Sequence, residues 1–193
     1  MQRPVALAGG AAILILLGVA VYGSWPRLSP APAASIGGPF ALIDEDSRAF
    51  SDRDLRGKPS AVFFGFTYCP EICPTTLASL TRWMKALGPD ADRLNVVFVT
   101  VDPARDTPAA LKAFLSPFDP RIRGLTGSDQ AIVQAAQAYH VYYRKVPLGG
   151  GGYTMDHSSA IYLMDAQGRF VEPIVYDEPD DRALASLRRL VRR

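Results

Sequence analysis

Cysteine and histidine are scarce in this chain, at two each in 193 residues. A framework of several disulfides is therefore excluded, since two cysteines close at most one bridge. Strong charge is also missing: the formal net charge is +2, and the basic residues are scattered. Nothing predicts a nucleic-acid partner, and the terminal "RRLVRR" reads as the solvated last turn of a helix, where cations suit the dipole. No internal repeat is present, and the length suits one domain with a substantial core.

Charge is absent altogether from Val5 to Gly23, and Ala11 to Val21 is almost wholly aliphatic. As a helix these nineteen residues rise about 28 Å, close to a hydrocarbon core of roughly 30 Å. Arg3 precedes the run, which predicts a cytoplasmic N-terminus and an exported remainder. Tyr22 and Trp25 fit an interfacial belt at the outer end. A cleaved signal peptide is the rival, with "APAAS" at 31–35 as its site. The long apolar stretch favours an uncleaved anchor. An Arg/Ser-rich transit peptide is lacking, so the expected location is a bacterial inner membrane, single-pass, with the soluble part in the periplasm.

The expected organisation is an N-terminal transmembrane anchor over 1–25, a Pro/Ala/Gly-rich linker over 26–39 and a folded domain over 40–193. "FALIDEDSRAF" reads as a short hairpin. "SAVFFGF" (60–66) and "NVVFVTVD" (95–102) are continuous apolar runs, as in strands buried on both faces. Leu77, Leu80, Met84 and Leu87 recur at helical spacing after Pro74, and Gly88 stops them. "DTPAALKAFL" predicts a helix capped by Asp106 or Thr107, and "SDQAIVQAAQAYH" one starting from Ser128 or Asp129. "SAIYLMDAQGRFVEPIV" is a hairpin around "DAQG", and "EPDDRALASLRRLVRR" a closing helix. The fold class is α/β: a central mixed sheet flanked by helices, in the order found in thioredoxin-like domains.

Both cysteines fall in "FFGFTYCPEICPTTL" (63–77), where a buried strand turns into a helix. Such a crevice is where open α/β sheets place their ligand sites, and a helix N-terminus favours thiolate. Residues four apart on a helix share a face, within adjustment of either a disulfide or two sulfurs aimed at one metal. A structural bridge closing so short a loop constrains little of the unfolded chain, so a reactive or ligating pair is favoured. Pro70 and Pro74 stiffen the loop.

Two thiolates rarely complete a metal site. His140 follows Tyr139 at a helix end and reads as a cap; His157, in "YTMDHSSAIYL", precedes a strand that could pair with the first, in a loop after "LGGGG" at a rim of the sheet. Two thiolates and an imidazole suit copper. Zinc fits the donors too, but structural zinc wants a fourth ligand.

"FFGFTYCPEICPTTL", "VFVTVDPARDTP" and "YTMDHSSAIYLMDAQGRF", in that order, resemble the Sco/SenC family of membrane-anchored, thioredoxin-like proteins that take part in assembling cytochrome c oxidase. The likeness runs from about Phe40 to the C-terminus. It implies that Cys69, Cys73 and His157 ligate copper, and that the partner is the CuA-bearing oxidase subunit, supplied with copper or kept reduced. Other copper chaperones and thiol reductants are further expected partners. Met155 offers a weak axial thioether or strand packing, and Asp156 a hydrogen bond that orients His157 or a turn bond. Asp102, Arg105 and Asp106 are read as capping and an internal ion pair, or as a docking surface, and Tyr68 as a wall of the site.

Two classes of activity remain open: a copper metallochaperone, and a thiol–disulfide oxidoreductase in which Cys69 and Cys73 form the redox pair. CxxxC in place of CxxC favours the first, as does "DHSSAIYL" where an exchanger has a proline before the strand facing its thiols. A peroxiredoxin-like peroxidase is disfavoured by the lack of that family's cysteine pattern.

Overall fold

The computed structural model describes residues 35–192. The anchor expected over 1–25 and the linker to residue 34 lie outside them. Among the described residues no helix is long and apolar enough to cross a membrane.

A seven-stranded sheet is built from β1 (Ala41–Asp44), β2 (Ala49–Ser51), β3 (Ser60–Gly65), β4 (Asn95–Thr100), β5 (Ile122–Thr126), β8 (Ile161–Met164) and β9 (Phe170–Ile174). Their order across the sheet is β2-β1-β5-β4-β3-β8-β9. β3, β4 and β5 run parallel at the centre, while the β8–β9 and β1–β2 hairpins join antiparallel on either side. The sheet is thus mixed, as expected. Every residue of β3 is buried, which is why "SAVFFG" is unbroken apolar sequence rather than an alternation.

Among the described residues four α-helices flank the sheet: α1 (Ile72–Leu87), α2 (Pro108–Leu115), α3 (Asp129–Ala138) and α4 (Asp180–Val191). Side chains alternate along the strands and divide the core in two. The rings of Phe63 and Phe98 meet at a tilt, 5.7 Å apart, on the face that receives Phe114 of α2. Phe64 meets Tyr139, just past α3, at 5.4 Å, and Tyr162 edge-on at 6.2 Å, on the other face. Burying each such ring contributes roughly 1.5–3 kcal/mol. α4 packs on α1, where Trp83 donates to Asp180 at 2.7 Å.

Thr107 caps α2 and Ser128 caps α3, each accepting from the backbone N–H three residues on. α1 begins two residues before the Pro74 at which the apolar periodicity became readable, because proline is tolerated in a first turn whose N–H groups have no helical partner.

Three strands were not expected. β5 carries Arg123, which pairs with Asp44 and with Glu45 at 2.7 Å, and that charge hid a strand whose Ile122, Gly124 and Leu125 are buried. The segment before the second histidine is also no loop. β6 (Tyr143–Pro147) and β7 (Tyr153–His157) form a separate two-stranded hairpin, and "LGGGG" is its turn. Gly151 and Gly152 take φ of 85° and 79° there, values that L side chains rarely adopt. His157 is therefore the last residue of a strand, held opposite Tyr143, which corrects the loop placement.

Candidate metal centre

The parallel pairing of β3 and β4 brings their C-terminal ends side by side, and the turn after each contributes to one site. After β3 the chain passes Phe66 and Thr67 and closes a tight turn, in which the Cys69 N–H donates to the Phe66 carbonyl at 3.2 Å. α1 then starts with no acidic residue in its first turn and no side-chain cap from Glu71. The Cys69 sulfur takes that place: the Cys73 N–H donates to it at 3.3 Å. A helix N-terminus aimed at sulfur stabilises the anion.

The two thiols are free and unequal. Cys69 sits at the mouth, 9% exposed, and Cys73 is wholly buried behind it. Hydrogen bonding from the Cys73 thiol, then from the backbone N–H groups of Cys73 and Glu71, pulls the Cys69 pKa down to about 4 against the opposing effect of burial. Cys73 is pushed far upward, because its proton is the one given to Cys69 and because burial opposes a second charge. Of the two, Cys69 is the sulfur whose anion the fold favours.

β7 brings the third donor. Nε2 of His157 lies 3.7 Å from Cys73 Sγ, and Nδ1 lies 2.8 Å from the Ser158 carbonyl. A carbonyl only accepts, so in the neutral ring Nδ1 carries the proton and Nε2 turns its lone pair toward the sulfurs. The ring stands edge-on to Phe66 at 5.7 Å. One ligand atom from each of Cys69, Cys73 and His157 falls within 4.8 Å of the others. Two sulfurs and an imidazole nitrogen so disposed form a soft-to-borderline donor set, with Cys73 its most deeply buried member.

Asp156 is exposed and pairs with Arg144 across the hairpin at 3.4 Å; strand alternation puts it on the face of β7 opposite His157, whose own partner is the Ser158 carbonyl. Met155 is buried in the core. His140 is exposed just past α3, in a left-handed conformation with φ 55°. Tyr68 is 63% exposed, its ring against the Arg105 guanidinium. Asp102 and Arg105 form an ion pair in the turn after β4.

Asp106 has a larger part than the capping read from sequence. Its buried carboxylate accepts from the Thr67 N–H at 3.0 Å, the Thr67 hydroxyl at 2.6 Å and the Thr100 hydroxyl at 2.6 Å. It staples the cysteine turn to the end of β4, and burial raises its pKa despite these bonds. Tyr153 was also missed: its hydroxyl donates to Asp102 at 2.8 Å. The alternation Tyr153, Met155, His157 was the available signal, a period of two that places all three on one face of a strand.

Known proteins share this layout. The SCO1/SenC family profile matches residues 29–192. Bradyrhizobium japonicum ScoI, in a structure with copper bound, superposes with a TM-score of 0.76 at 47% identity, over 81% of this chain and 99% of that one. Its likeness extends the mixed sheet and flanking helices to the thioredoxin-like fold expected from the order of elements. "Protein SCO1, mitochondrial" of Saccharomyces cerevisiae is 44% identical over 149 residues, 75% of this chain. The chain spans 50% of the length of that yeast protein. A "SCO2-like protein" of Rickettsia conorii is 39% identical over 155 residues, covering 79% of this chain and 76% of the relative.

Proposed function

The chain belongs to the SCO1/SenC family, and from that membership we propose that it is a membrane-anchored copper metallochaperone. Cys69, Cys73 and His157 hold the ion, and the domain passes it to the CuA centre of a cytochrome c oxidase subunit. The observation that carries this reading is the convergence of three donors within 4.8 Å of one another, together with the copper held by the similar ScoI. Residues 1–25 anchor the chain in a bacterial inner membrane, and the folded domain works in the periplasm. The lesser burial of Cys69 relative to Cys73 suits delivery, because an incoming thiolate can replace the outer sulfur before the inner one lets go.

A second reading is favoured by one observation, the inequality of the pair, with the anion favoured at Cys69 and opposed at Cys73. The Cys69 thiolate attacks a partner disulfide, forming a mixed disulfide and releasing one partner thiolate. Cys73, giving up its proton, then displaces the second, leaving a Cys69–Cys73 disulfide and a reduced partner. Two electrons pass to the partner, and an exported thiol reductant restores the pair.

Titration of the reduced, purified full chain with Cu(I) and Cu(II) separates the two. The metallochaperone reading expects one copper per chain, sulfur-to-copper charge-transfer absorption and severe weakening in His157→Ala, with dithiol cycling retained. Unchanged copper affinity in that variant removes the third ligand and leaves the exchange reading.

A further inference from the structure

The hairpin that carries His157 shares no strand pairing with the main sheet. A lone two-stranded hairpin is marginal in water, so something besides its own ladder must hold the imidazole in place. What joins it to the rest of the domain is the packing of Met155, Tyr143 and Tyr153 against the core, the contacts of His157 itself with Phe66 and Cys73, and a cluster around Arg105. That guanidinium lies 4.5 Å from the centroid of the Tyr68 ring, next to Cys69, and 3.8 Å from that of Tyr153, at the start of β7. Nη1 donates to the Tyr153 carbonyl at 3.0 Å, and Nε to Asp102. The Tyr153 hydroxyl returns to the other oxygen of Asp102, while Lys145 lies over the Tyr153 ring at 3.9 Å.

We propose that Arg105 is the positioning residue of the copper centre: its guanidinium clamps the His157 hairpin onto the cysteine turn by joining Tyr153 to Tyr68 and Asp102. The chemistry asks for arginine. One planar cation must stack on aromatic rings, donate to a carboxylate and donate to a main-chain carbonyl, and an ammonium cannot do all three. Nη2 is buried without a hydrogen-bond partner among the described residues. A buried N–H left unpaired costs stability, so the residue stands where holding the hairpin requires rather than where its own bonds are best satisfied. Asp106 staples the turns after β3 and β4 to each other; Arg105 adds the hairpin, and the two donor-bearing segments become one unit with the turn between them.

This role rests on His157 being a ligand, and its test separates the two. Arg105→Lys keeps the charge beside buried Asp102, and Tyr153→Leu removes the ring and hydroxyl while leaving the ion pair; both are made in the full chain, alone and on a His157→Ala background. Amide hydrogen exchange is expected to quicken across β6–β7 in both variants and stay unchanged in β3 and β4. Copper affinity, measured by chelator competition, is expected to fall ~10–100-fold, the usual cost of losing a residue that orients a ligand. On the His157→Ala background the same substitutions should cost almost nothing, because residues acting through one another are non-additive. Unchanged hairpin exchange in both variants overturns the clamp, as does an equal loss of affinity with and without His157. Should His157→Ala alone leave copper binding intact, the ligand reading fails instead, and hairpin exchange decides the clamp by itself.

Discussion

Cys73 Sγ and His157 Nε2 lie 3.7 Å apart although 84 positions separate them in the chain. The sulfur is fixed by the first turn of α1, the nitrogen by the last residue of β7, and neither element is hydrogen-bonded to the other through its backbone ladder. Side-chain packing at the rim of the sheet therefore sets this distance, and substitutions that disturb the packing should disturb metal binding before they unfold the protein.

Gly65 ends β3 directly under Cys73. A Cβ there would stand 2.7 Å from Cys73 Sγ and 2.6 Å from Phe98 Cε2. Gly65→Ala should cost about 1–3 kcal/mol, as overpacked cores do, and push the Cys73 sulfur off its position. Thermal melting and copper charge-transfer spectra read the two effects; a variant that melts and absorbs like the wild type refutes the close contact.

The low Cys69 pKa, about 4 through hydrogen bonding from Cys73, makes one thiol selectively reactive. Iodoacetamide at pH 6 should modify Cys69 and spare Cys73 in the folded chain, since the thiolate is the nucleophile. The rate should hold nearly constant with acidification until the pH nears 4. Peptide mapping after brief labelling checks it, and equal labelling of both residues counts against the asymmetry.

Asp106 supplies a pH dependence of stability. Its folded pKa is raised by burial, so the native state holds this proton more tightly than the unfolded chain, and stability falls as pH rises from below the ordinary carboxylate value through the raised one. Asp106→Asn removes that titration while keeping the shape. The melting temperature of the variant minus that of the wild type should therefore climb with pH over this window and then level off. A flat difference would mean the carboxylate is not raised.

Phe66 presents its ring to the edge of His157. Phe66→Leu keeps most of the buried volume and should cost less than about 1.5 kcal/mol of stability. Losing the edge-to-face contact, worth roughly 0.5–1.5 kcal/mol, should free the imidazole and weaken copper binding several-fold. Paired melting and chelator-competition curves test this; unchanged affinity makes the ring a packing residue only.

Much of this was legible in the chain itself. Unbroken apolar runs identify β3 and β4, because a strand covered on both faces has no polar side to show. Spacings of three and four residues mark α1, and Thr107 and Ser128 mark where α2 and α3 start. The cysteine pair declares its position between a strand and a helix, since that depends only on neighbours in sequence. β5 stayed hidden because Arg123 and Gly124 interrupt its pattern, and the charge is explained only by Asp44 and Glu45, some eighty positions earlier. The β6–β7 hairpin stayed hidden because glycines and exposed charges dominate it.

Local sequence determined which residues could be donors and which elements carry them, for propensity, capping and hydrophobic period are properties of short stretches. Only the folded chain decided how closely His157 approaches the sulfurs, that Cys69 ionises more readily than Cys73, and that Asp106 and Arg105 bind the separate turns together. Each of those outcomes is a contact between segments far apart along the chain, set by strand order, burial and the need to pair buried polar groups, which no local pattern encodes.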